Sequence, residues 1–150
     1  MSATALPRPV ALLGLAGILP QLLCLAVVVA LSEWRWVALA AACFYAALIL
    51  SFLGGLWWML ALLRGERGWE PYLLAVAPSL AGWAALLPWC FGLTWPGPSL
   101  ALLGCALLAS PLVDRRLGRQ LALPAGWLRL RMMMASGLGL TSLALALLFA

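Results

Sequence analysis

The chain has 150 residues, of which 67% are hydrophobic and 9% charged, with a formal net charge of +5 and a mean hydropathy of +1.12. Soluble domains run nearer half apolar and a quarter charged, so the composition excludes a water-soluble enzyme, a disordered tail and a soluble nucleic-acid binder. What remains is an integral membrane protein of one compact unit.

A membrane-spanning helix needs about 20 predominantly apolar residues. Five stretches approach that length: residues 10–31, 36–63, 72–91, 98–113 and 132–150. They predict an all-α bundle of five transmembrane helices. The apolar run of the first is too long for the core of a cleaved signal peptide. Within it Gln21 follows Pro20. Proline frees a backbone carbonyl one turn earlier, which the Gln21 amide can satisfy unless it bonds a neighbouring helix instead.

The second stretch is longer than a bilayer requires, so it tilts or protrudes. Cys43, Ala47, Ser51 and Gly55 recur every four residues along it, a small-residue stripe of the kind that lets helix backbones approach. Gly54 and Gly55 weaken the helix, and Trp57 and Trp58 follow directly. This segment reads either as a close helix crossing or as a flat slot for a hydrophobic ligand such as a quinone, a lipid or a tetrapyrrole. Pro78, Ser79, Gly82 and Trp83 repeat the theme in the third stretch, and Pro88 and Pro111 are expected to bend or end their helices. The fourth stretch is the shortest and leaves residues 114–131 as a polar connector to the fifth. Ala135 with Gly139, and Ser142 with Ala146, form a further packing face there.

All nine basic residues are arginines. With five spans, Arg8, Arg64, Arg67, Arg115, Arg116, Arg119, Arg129 and Arg131 fall on one side and Arg35 alone on the other. The asymmetry predicts a cytoplasmic N-terminus and a C-terminus outside, and the all-arginine, Ala/Leu-rich composition suits a bacterial inner membrane, where that outer side is the periplasm. Trp34, Trp36, Trp89 and Trp95 are expected at the outer boundary, with Trp69 and Trp127 at the inner one. No ionisable residue falls near the middle of a span, which argues against an ion-coupled transporter. Asp114 and Arg131 flank the connector and are expected to pair at a wet interface, for at most about 1 kcal/mol. Cys24, Cys43, Cys90 and Cys105 lack CxxC spacing and sit in apolar stretches as small hydrophobes. With no histidine in the chain, no motif specifies a metal, and no cofactor is identified.

The segment Ile49-Leu50-Ser51-Phe52-Leu53-Gly54-Gly55 with Trp58 resembles the signature of the transmembrane protein 69-like family, a domain of unknown function in bacteria and mitochondria. Pro78-Ser79-Leu80 with Trp83, then Asp114, then Pro124 with Trp127, Leu130 and Arg131 are similar to its later blocks. Where that family often has His before the motif tryptophan and Gly after it, this chain has Trp57 and Met59, so imidazole chemistry does not carry over. Gly126 stands where an aromatic is common. The resemblance implies a small multi-span inner-membrane protein without an established activity. The expectation is a non-enzymatic accessory or assembly subunit that meets membrane lipids and a membrane-protein partner or further copies of itself, without nucleic acid. A carrier of a hydrophobic small molecule is the alternative.

Overall fold

The computed structural model describes residues 6–93, 96–119, 121 and 123–148. Its elements are all helical: α1 (Arg8–Ala16), α2 (Leu19–Ala30), a short 3-10 turn (Ser32–Trp34), α3 (Arg35–Leu63), α4 (Glu70–Cys90), α5 (Gly97–Gly118) and α6 (Trp127–Leu147). Counting α1 and α2 together, five of the segments are long and apolar enough to cross a membrane, which makes the chain a multi-pass membrane protein by length and composition. The expected tryptophan at 95 and the last two residues of the fifth stretch lie outside the described residues.

The first span is two helices, not one. Pro20 cannot donate to the carbonyl of Ala16, so α1 ends there, and Gly17 and Ile18 form the turn into α2. The Tyr45 hydroxyl of α3 donates to the Gly17 carbonyl within that turn at 2.6 Å. Gln21 turns the other way: its Nε2 donates to Ser142 Oγ of α6 at 2.8 Å. Ser142 in turn donates to the Leu138 carbonyl, and Thr141 and Ser110 likewise bond back to carbonyls of their own helices. Hydroxyls in an apolar medium are held this way because water is not there to hold them.

α3 is the central element and packs against α2, α4, α5 and α6. Its inward side supplies half of a core cluster around Ala46, Leu50, Leu53 and Trp57, and half of a second around Leu39, Ala42 and Cys43. The α3–α4 pair is antiparallel and in register. Gly82 lies against Ala47, Ser51 Oγ meets Ser79 Oγ at 3.0 Å, Gly54 lies on Ala75, and the Trp58 ring meets the Tyr72 ring edge-on with centroids 5.0 Å apart. Each advance of three or four residues on α3 is matched by a similar retreat on α4, the ladder expected of interdigitating helix ridges. The α5–α6 pair has its own close point, where a Cβ at Gly139 would lie 2.9 Å from the Gly104 carbonyl oxygen.

Two boundaries differ from the sequence expectation. α5 continues beyond residue 113 to Gly118, and α6 begins at Trp127, not at Met132. The connector is therefore the short segment 119–126 and not 114–131, and Asp114 and Arg131 both lie within helices. Arg115 and Arg116 suit the last turn of α5, where positive charge offsets the partial negative charge of the helix end. Pro88 and Pro111 do not end their helices, which run on to Cys90 and Gly118.

The two adjacent glycines of α3 predict different outcomes. A side chain at Gly54 meets the backbone carbonyl of Ala75, whereas one at Gly55 has nothing within 4 Å. Gly54→Val should lower stability by about 1–3 kcal/mol through overpacking, and Gly55→Val should leave the melting temperature of the purified protein nearly unchanged.

Candidate functional site

The one buried carboxylate among the described residues is Asp114, on the fifth turn of α5 and 0% exposed. Its Oδ1 accepts the indole N–H of Trp57 at 2.8 Å, and its Oδ2 accepts Arg131 Nε at 2.8 Å. The Arg131 side chain is 8% exposed. Three helices, α3, α5 and α6, thus converge on a single carboxylate. The pair was expected at a wet interface worth little. Its burial overturns that, because the helices extend past both residues and enclose them. A charge pair out of water is held by its mutual attraction and its remaining hydrogen bonds, and the loss of one partner strands the other.

Around this triad the arginine-rich end of the bundle is laced together. Arg64, at the end of α3, donates through Nη1 to the carbonyls of Arg116 and Leu117 at 3.2 and 3.4 Å, taking up acceptors that the last turn of α5 leaves open. Its Nη2 pairs with Glu66 at 2.8 Å. Arg116 pairs with Glu70 at the start of α4, and Tyr72 Oη donates to the Glu66 carbonyl at 2.8 Å. The exposed Arg116–Glu70 pair adds little energy, but with Arg64 it fixes the α3–α4 loop against α5.

The other residues singled out from the sequence do not gather at one place. Cys43, Ala47 and Gly54 face inward on α3, while Ser51 and Gly55 lie on its exposed side. Trp57 points in to Asp114; Trp58 is 43% exposed and Trp83 63% exposed. The Gly54-Gly55-Trp57-Trp58 segment therefore does not make one flat slot, since Gly54 and Trp57 are buried in the bundle while Gly55 and Trp58 lie about 100° further around the helix on its exposed side. Pro78 is buried within α4 and Ser79 bonds Ser51. Gln21 is fully buried, with its Oε1 lacking a hydrogen-bond partner. Trp89, expected as a boundary anchor, is half-buried against the second core cluster, with its indole N–H unpartnered. Trp34, Trp36 and Trp69 are exposed. Tyr45 and Ser142, which hold the first span, were not anticipated as its partners. Tyr45 is one of only two tyrosines in the chain, and a lone phenol within an apolar run is the signal that could have marked it.

Among the described residues no group of three His, Cys, Asp or Glu side chains is placed to hold a metal. Both oxygens of Asp114 are engaged, so the triad acts as a clamp across three helices. Arg131→Met leaves Asp114 buried without its cation and should lower stability by about 3–5 kcal/mol, whereas the double variant Asp114→Asn with Arg131→Met should lose less than the single one. Trp57→Phe removes a hydrogen bond to a charged acceptor and should cost about 1.5–3 kcal/mol. Reversible unfolding in detergent compares the three.

No curated protein and no solved structure is detectably similar to the chain. A family model does match, over residues 6–148, and it takes in every helix and the whole of the clamp. The chain belongs to the family described as Protein of unknown function (DUF3429).

Proposed function

We propose that this protein is a non-enzymatic accessory or assembly subunit of a bacterial inner membrane, N-terminus in the cytoplasm, that packs against another membrane protein through its first span. The observation that supports this is how little of that span the chain itself covers. α1 buries no residue and α2 only Gln21 and Val28, while α3 is buried along most of its length. The small-residue faces, by contrast, argue less for a partner than the sequence suggests. Ala135, Gly139, Ser142 and Ala146 are buried within the bundle, as are Cys43 and Ala47 of the α3 stripe, while Ser51 meets Ser79 and Gly55 alone of that stripe is exposed with nothing against it. The orientation rests on the arginine asymmetry, eight against one. The likeness to transmembrane protein 69-like proteins fits a small component of such a membrane.

A photocrosslinking amino acid in place of Leu13, which is 74% exposed on α1, tests the reading in native membranes. The expected product is a discrete protein adduct that is absent when the same group replaces the buried Leu50. Adducts to lipid alone at Leu13 would overturn it.

A further inference from the structure

The charges at the arginine-rich end do not balance. The three acids there are each engaged: Glu66 by Arg64, Glu70 by Arg116 and Asp114 by Arg131. Arg115, Arg119 and Arg129 make no ion pair among the described residues, yet all three line one cavity of about 380 Å³ where α5 ends and α6 begins. Its other walls include Leu123, Trp127 and Leu128. Asp114 also lines it, its charge already paired with Arg131 and its second oxygen held by Trp57. Three arginines that line one concavity without an acid partner suit an anion that sits among them, and guanidinium matches phosphate oxygens in a bidentate fork.

The position of the cavity narrows the ligand. α6 has 21 residues, a length of about 31 Å, close to the thickness of a bilayer hydrocarbon core. The last turn of α5 and the first turn of α6 then lie at head-group depth, where an interfacial tryptophan such as Trp127 is at home. The apolar walls favour a ligand that carries glycerol and the beginning of acyl chains over a bare ion. The volume is in the range of small-ligand sites.

We propose that this cavity binds the phosphate of an anionic membrane lipid, with Arg115, Arg119 and Arg129 around the head group and Leu123, Trp127 and Leu128 against its apolar portion. The site is independent of the first span and of any protein partner. A soluble phosphoanion offers the same phosphate chemistry without the apolar part, so the two sources can be told apart.

The test uses the full chain in a nonionic detergent and counts bound molecules by native mass spectrometry. Phosphatidylglycerol, phosphatidylcholine and inorganic phosphate are titrated separately. The expected result is one saturable phosphatidylglycerol adduct, with much weaker binding of phosphatidylcholine and of phosphate. Arg119→Gln and Arg129→Gln should each weaken the adduct about fivefold, the equivalent of one basic residue at an anionic surface. Arg67→Gln is the control, because Arg67 is exposed at the same end but does not line the cavity. An equal loss with Arg67→Gln would show diffuse surface charge and overturn the site. Equal binding of phosphatidylcholine, or no adduct, would also overturn it. Phosphate binding as tightly as phosphatidylglycerol would overturn the lipid assignment in favour of a soluble anion. Circular dichroism on each variant separates loss of binding from loss of fold.

Discussion

Helices in a bilayer gain nothing from hiding apolar side chains from one another, since lipid tails are as apolar as leucine. A membrane bundle must therefore be fixed by close backbone contact and by polar groups that have no better partner elsewhere. Here the second of these is concentrated at Asp114. Its two oxygens bind Trp57 of α3 and Arg131 of α6, so the register of three helices is set at one point. The nearby loops follow from it: with α5 held against α3, Arg64 reaches the end of α5 and Arg116 reaches Glu70. Because Arg131 satisfies Asp114, the arginines at the end of the same helices are left without an acid.

Backbone contact does the rest. The α3–α4 ladder from Ala47/Gly82 to Trp58/Tyr72 is long and depends on small residues at its crossings. The α5–α6 pair is joined at two levels, near mid-helix at Gly104/Gly139 by close approach and toward the connector at Asp114/Arg131 by charge. The first span has neither kind of crossing. It is held by α2 packing along α3, by Ile18 seated on Gly137 of α6, and by single hydrogen bonds from Tyr45 and Gln21.

Much of the architecture was legible because the bilayer makes span length a hard constraint: five apolar runs could be counted directly. The pairing of Asp114 with Arg131 was legible as well, since they are an acid and a base at facing helix ends. Their burial was not, because it depends on how far each helix continues into a polar sequence, and hydropathy alone stops too early there. The misreading of the small-residue stripe has a geometric cause. At about 100° per residue, steps of four drift by about 40° each, so Gly55 lies about 120° around the helix from Cys43. The inward line runs Cys43, Ala47, Leu50, Gly54, Trp57, in alternating steps of four and three. That also explains why Trp57 and Trp58, neighbours in sequence, serve unlike surroundings. The Trp57–Asp114 bond joins residues 57 positions apart, and nothing local announces it. The cavity arginines were visible only as topology signals, because their lack of acid partners emerges only once each acid has been assigned.

The Gln21–Ser142 bond bears on how the chain is made. Its two ends are separated by 121 residues, nearly the whole chain. During synthesis the first span leaves the ribosome with its amide unmatched and its helix interrupted. Tyr45 arrives with the second span and can settle the interruption early, as a helical hairpin. Gln21 must wait for the final helix. Through most of biogenesis the amino-terminal segment therefore holds an amide unmatched in lipid, and the completion of α6 is the event that gives it a partner.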